Sequence, residues 1–241
     1  MKLPQIAYQT YEMTCAVTKN KIKFRPFCTG EEKILYLAQK SGDNNQIKNA
    51  VIQVLNNCIK TPGVTAESLS VFDLEKLLLS VRAKAVGEVI DLKIPCELEP
   101  EDNGEVVYVP TKINIDDIVV HIPPDHTNKI VINENTTLVM AYPGLEDFLD
   151  ANFIDEDSQK NMFDIAALCL DKLIVGDEVY DFKDAGDEDV SNFIDTLPSK
   201  IFEKITEFFS DLPKLYYDVE VSHPVSGNIT KLRLEGISSF F

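Results

Sequence analysis

Apolar positions along the chain change their period twice, and those changes divide it. Ile47, Ala50, Val51, Val54, Leu55 and Cys58 fall on one stripe at helical spacing, which predicts an amphipathic helix. Val71, Leu74, Leu78, Val81 and Ala85 make a second stripe. Leu77 and Leu79 widen it, so that helix is expected to be covered on more than one side, and Gly87 ends it. Ser70 and Asp73 suggest its capped start. An earlier helix is announced by Thr29-x-x-Glu32, a capping-box spacing, with Glu31 and Glu32 near the positive end of the helix dipole. It stops at "KSGDNN". These three helices, from about residue 30 to 86, read as one packed unit.

Beyond Gly87 the period falls to two. "EVIDLKIP", "GEVVYVPTKINI", "DIVVHI", "KIVIN" and "TTLVMAY" are short β-rich runs with no helix-length crossover between them, the pattern of a small antiparallel sheet or meander. After Pro143 the helical period returns in Met162, Ile165, Ala166, Cys169 and Leu173, then in Ile201, Ile205, Phe208 and Leu212. "GDEVYDFKDAGDEDV" between them reads as an acidic loop. "YDVEVS" and "ITKLRLEG" close the chain as a hairpin with a Pro/Gly-rich turn. The order is arm, helices, sheet, helices, hairpin, an α+β fold. It divides into residues 1–87, 88–142 and 143–241, packed as one or two compact domains.

The arm, Leu3 to Phe27, alternates loosely, and Pro4 and Pro26 restrict it to extended or edge-strand roles. Its last step, Phe24-Arg25-Pro26-Phe27, runs straight into the first helix. Pro26 forces Arg25 towards an extended conformation. Two readings are open. One is a structural clamp, with one Phe packed on the helical unit and Arg25 paired to Glu31 or Glu32. The other is an anchor on a partner surface, where aromatic residues and arginine dominate interface energies.

Charge narrows the function classes. A net charge of -17 repels nucleic acid and anionic lipid, so neither is expected as a partner. No stretch approaches a membrane span, and "MKLPQIAYQTYEMT" has no apolar run of signal-peptide length. Five widely spaced cysteines (Cys15, Cys28, Cys58, Cys96, Cys169) without CxxC fit a reducing cytoplasm.

Catalytic signatures are missing. His121, His126 and His223 form no HExxH or close His/Cys cluster, and "SHPVSG" lacks the thiolates of a metal knuckle. Asp181, Asp184, Asp187, Glu188 and Asp189 are dense, but they do not follow the ligand order of an EF-hand. GxSxG and P-loop patterns do not occur. The reading is therefore no catalytic residue, no metal and no cofactor. Two rival classes stay in view: a metal-dependent hydrolase using carboxylates such as Asp184 and Asp187, and an acidic nucleic-acid mimic.

Three stretches carry a resemblance. "KFRPFCTGEEKILYLAQKSGDNNQIKNAVIQVLNNCI", "FDLEKLLLSVRAKAVGEVIDL" and the closing "LRLEGISSFF" are similar to the baseplate hub assembly proteins of T-even-type contractile-tailed bacteriophages. The resemblance implies a non-enzymatic hub assembly factor or hub component, made in the bacterial cytoplasm and, as a hub component, retained in the virion tail baseplate. It also implies partners among other baseplate hub or tail proteins, with self-association compatible. Phe24, Arg25, Pro26, Phe27 and Glu31 in the first stretch are then partner-binding candidates. Arg82 and Lys84 in the second, and Phe240 and Phe241 at the close, join them. Each also has a structural reading: favourable interaction with a helix C-terminus for Arg82 and Lys84, and a terminal staple on the core for "SSFF".

Overall fold

The computed structural model describes residues 7–97, 106–145, 158–224 and 226–240, with six α-helices and eleven strands among them. The fold is α+β, as the change of period predicts, and every strand pairing is antiparallel. The chain forms two compact units: residues 1–66, 72–121 and 214–241 in the first, and residues 67–71 and 122–213 in the second.

In the first unit, β1 (Tyr11–Thr14) and β2 (Lys21–Phe24) make a hairpin registered from Tyr11 opposite Phe24 to Thr14 opposite Lys21. Lys19 in its turn has φ 58°. The other side of β2 is taken up by the chain leaving the second helix. Lys23 accepts the Lys60 N–H at 2.7 Å, and Arg25 donates its N–H to the Cys58 carbonyl at 2.9 Å. The arm is thus tied down by strand pairing on both sides, with Ile22 and Phe24 each 1% exposed.

Three helices follow: α1 (Thr29–Ser41), α2 (Asn44–Cys58) and α3 (Val71–Val86). The α2 stripe is buried at Ala50, Val54, Leu55 and Cys58. Asp43 caps α2 by accepting the Asn45 and Gln46 N–H groups. Leu77 and Leu79 are both 0% exposed, the two-sided cover that the widened stripe predicts. Asp73, in the first turn of α3, accepts the Ala16 N–H at 2.7 Å, 57 residues earlier.

The sheets of this unit rest on α3. β3 (Val89–Glu97) and β4 (Val106–Asn114) form a nine-pair ribbon. Pro110 lies opposite Lys93 and Pro95 opposite Tyr108, pairs of the same parity. The two missing N–H groups therefore fall on the ribbon's outer margins and leave its ladder intact. β10 (Lys214–Ser222) pairs with β11 (Ile229–Glu235) over seven residues, and with β5 (Val119–His121) on its other edge. Leu79 and Ala83 of α3 share one core with Ile90, Ile113, Ile118, Leu215, Leu234 and Phe240.

Two half-buried α3 residues tie this core to irregular chain. Glu75 accepts the Ile237 N–H at 2.9 Å, and burial pushes its carboxyl above the usual range. Lys76 donates to the Ile118 carbonyl at 2.5 Å, and burial pulls its ammonium down.

The second unit is a four-stranded sheet with helices. Its order is β6 (Lys129–Asn133), β7 (Thr136–Met140), β8 (Leu170–Val175) and β9 (Glu178–Asp181). Packed with it are α4 (Ser158–Leu168), α5 (Asp187–Thr196) and α6 (Ser199–Ser210). Ile201, Ile205, Phe208 and Phe209 of α6 meet Leu138, Met140, Ile165 and Ile194 in its core.

The structure departs from the sequence pattern in two places. The five β-rich runs do not form one meander: β3–β4, β5 and β6–β7 join three separate sheets, because β5 finds its partner in the C-terminal hairpin. The acidic loop begins as a hairpin. Leu173 belongs to β8 rather than to a helical stripe, and the chain reverses at Gly176, φ 59°, a conformation glycine adopts without steric penalty. The Leu173-Ile174-Val175 run favours a strand, and acidic turn residues masked that signal.

Phe240 is 1% exposed. Phe240→Ala should lower unfolding free energy by about 3–5 kcal/mol, the usual penalty for emptying a buried aromatic site, and urea denaturation would measure it.

Candidate functional site

The first resembling stretch folds around one guanidinium. Arg25 leaves β2 extended, and Pro26 and Phe27 carry the chain to Cys28, the N-cap of α1. The helix therefore starts one residue before the T-x-x-E pattern predicts. Glu31, not Glu32, reaches back, accepting the Cys28 N–H at 2.8 Å. The same carboxylate receives two hydrogen bonds from Arg25, Nη1 to Oε2 at 2.8 Å and Nη2 to Oε1 at 2.7 Å. Nη1 also donates to the Pro26 carbonyl at 2.9 Å and lies 3.9 Å from Cys58 Sγ, while the Tyr8 ring stacks 5.1 Å from the guanidinium carbon.

The pair is largely shielded from water, with side chains 13% and 7% exposed. Taking both charges out of water is offset by fork-to-fork geometry and by the extra N–H on the carboxylate. The Arg25 hydrogen bonds push the Glu31 carboxyl down to about 2, against the opposing effect of burial, and raise Arg25 further above its ordinary value. Burial pushes the neighbouring Cys58 thiol up to about 12, so it packs as a protonated, unreactive side chain. The structural clamp is formed, with Glu31 as its acid.

The remaining candidates are not gathered into one surface by any contact of this clamp. Phe24 is buried beneath it, 6.0 Å from the Tyr11 ring, while Pro26 and Phe27 are half-buried. Lys84, in the last turn of α3, pairs with Glu88 and lies 5.7 Å from the centre of the Tyr11 ring. Arg82 is half-buried, and burial lowers its pKa. Phe240 belongs to the core of its unit, and Phe241 lies outside the described residues. Sequence reasoning missed Glu75 and Lys76, and it did not foresee the bond from the Ala16 N–H to Asp73. The signal was present, since three charged residues interrupt the most apolar helix at positions its neighbours cover.

The acidic run has structural uses. Asp181 Oδ1 accepts the Lys183 N–H at 3.0 Å, and Asp187, Glu188 and Asp189 occupy the first turn of α5, next to its positive dipole end. Among the described residues, no three His, Cys, Asp or Glu side chains converge as a metal site. A cavity of about 320 Å³ in the second unit is lined by Asp125, His126, Lys129, Lys204, Phe208 and Asp211. His126 stacks on Phe208 and shares a hydrogen bond with the Tyr142 hydroxyl, and burial lowers its pKa.

The model of the T4 bacteriophage base plate protein family matches residues 8–241, nearly the whole chain. The chain belongs to that family. No curated protein and no solved structure gives a significant match. This baseplate protein is a structural component of a T4-type phage tail baseplate, where its neighbours are other baseplate proteins. No described helix is long and apolar enough to cross a membrane.

Glu31 gives the baseplate protein a specific acid sensitivity. A carboxyl with a depressed folded pKa stabilises the fold above its unfolded value of about 4.5, and that contribution is lost as pH falls towards 2. The melting temperature should therefore drop between about pH 5 and 2, and Glu31→Gln should flatten this part of the curve. Arg25→Ala should cost about 3–5 kcal/mol by leaving a buried carboxylate unmatched, while Arg25→Met with Glu31→Leu should recover much of that loss in chemical denaturation.

Proposed function

We propose that this baseplate protein acts in building the central hub, as an assembly factor or hub component, through protein–protein contacts and without a catalytic centre. The observation that carries this reading is the use made of its buried and half-buried charged groups. Arg25 and Glu31 lock β2 to α1, Asp73 holds the β1–β2 turn, and Glu75 and Lys76 hold the segments around Ile237 and Ile118. Each closes a structural joint. Catalysis needs ionisable groups directed at a reacting atom, whereas these are directed at the protein's own backbone and at each other. The two stretches most similar to hub assembly proteins contain all five residues, which makes those stretches the framework of the first unit.

On this reading the protein is made in the host cytoplasm and meets hub proteins there. Of the partner-binding candidates, Arg25 and Glu31 act by holding α1 in place, and Pro26, Phe27 and Lys84 keep solvent-accessible surface for contact. Co-expression with the other hub proteins, followed by size-exclusion chromatography, should give a co-eluting complex; elution apart from every tail protein would overturn the proposal. Mass spectrometry of purified phage then separates its two forms. Peptides at the abundance of baseplate subunits identify a hub component, and their loss from finished particles identifies an assembly factor.

A further inference from the structure

Strand β9 leaves the sheet of the second unit open along one side. It pairs with β8 from Lys172 opposite Asp181 to Val175 opposite Glu178. Among the described residues, no strand takes its other side. Val175 and Glu178 close a two-residue turn, so the hydrogen-bonded pairs are Val175–Glu178 and Leu173–Tyr180. The Gly176 N–H bond to the Asn135 carbonyl, 2.8 Å, agrees with this, because it turns the Ile174 and Lys172 groups towards β7. The N–H and C=O groups of Val179 and Asp181 therefore point away from the sheet.

An open edge of this kind is a template for another strand, and the opposite edge of the same sheet is blunted. Pairing of β6 with β7 is irregular between Val131 and Asn133, and Lys204 of α6 donates to the Val131 carbonyl at 3.2 Å. β9 is short, but it holds no proline, lysine or bulge. Its side chains are exposed on both faces, Val179 by 60% and Tyr180 by 53%. They end two rows that cross the sheet. Ile130, Leu138, Leu173 and Tyr180 follow one face, and Val131, Thr137, Ile174 and Val179 follow the other. A fifth strand would lengthen both rows.

Charge selects the occupant. Residues 177–184 hold Asp177, Glu178, Asp181 and Asp184 against Lys183, and Lys172 lies across from Asp181 on the β8 side. The whole unit has 22 acidic and six basic residues. We propose that β9 accepts, as a fifth strand, an extended segment of another protein with β-branched residues at its centre and Lys or Arg at its ends. Main-chain bonds to Val179 and Asp181 set the register, and the basic ends meet Glu178 and Asp181. A second copy of this chain is a poor occupant. Antiparallel pairing of β9 with itself about Val179 places Asp177 of one copy opposite Asp181 of the other and brings two strongly acidic units together. This inference does not rest on the hub assignment, because it defines the partner by strand chemistry alone.

NMR titration of the full-length protein with a capped peptide, Lys-Val-Thr-Val-Lys, provides the test. The Val179 and Asp181 amides should shift and gain protection from hydrogen exchange. The same peptide N-methylated at its three central residues keeps both charges but cannot pair, and it should do neither. A peptide with Glu in place of both Lys should bind about tenfold more weakly or worse. Val179→Pro removes only an outward N–H, so it should weaken binding by about tenfold or more with unchanged circular dichroism. Val179→Thr, which keeps that N–H and the β-branched shape, should bind as the parent does. If Val179→Pro does not fold, the N-methylated peptide decides alone. No shift at β9 with millimolar peptide overturns the proposal. So does equal binding of the N-methylated peptide, which would mark simple attraction to an acidic surface, equal binding of the Glu peptide, or undiminished binding by a folded Val179→Pro variant.

Discussion

Irregular backbone can be buried only if its N–H and C=O groups find partners, and the first unit of this protein meets that constraint with charged side chains from one helix. Asp73, Glu75 and Lys76 lie within four positions of α3, yet they serve a hairpin turn, the C-terminal segment and the loop before β5. Those three segments come from the start, end and middle of the chain. Bonds of this kind have high sequence separation, and they fix the order in which distant pieces sit around α3. Arg25 and Glu31 apply the same solution at the edge of the unit, where the strand-to-helix step would otherwise bury a cap with its N–H group unmatched.

This arrangement makes the first unit stiff where its sequence is most specific. Removing any one of these charges does more than delete a favourable contact, because it leaves a desolvated partner behind. The most distinctive stretches therefore describe a framework. Exposed side chains such as Tyr36 and Leu37 take no part in that framework. That division suits a baseplate component, which must hold one shape while neighbours assemble upon it.

Much of the architecture was legible in the chain. The stripes of α2 and α3, the widened cover of Leu77 and Leu79, and the closing hairpin all follow from period alone. The Arg25 clamp was legible as one of two alternatives, and choosing Glu31 over Glu32 required knowing that Cys28 is the cap. Pairing between β5 and β10 was not legible, since Val119–His121 carries no mark of a partner nearly a hundred residues away. The β8–β9 hairpin was obscured for a different reason. Its turn and flanks are so acidic that charge hid an ordinary β-branched run. Asp73 shows the limit of local reasoning: its place in the first turn of α3 gives no hint of its bond to the Ala16 N–H, 57 residues earlier.

The two prolines of the β3–β4 ribbon extend this logic beyond the single molecule. A lone ribbon has two bare margins, and bare margins recruit stray strands into fibres or aggregates. Pro95 and Pro110 remove one donor from each margin without weakening the ribbon itself. Each margin therefore offers a stray strand one fewer hydrogen-bond donor, which makes edge-to-edge pairing of two such ribbons less favourable.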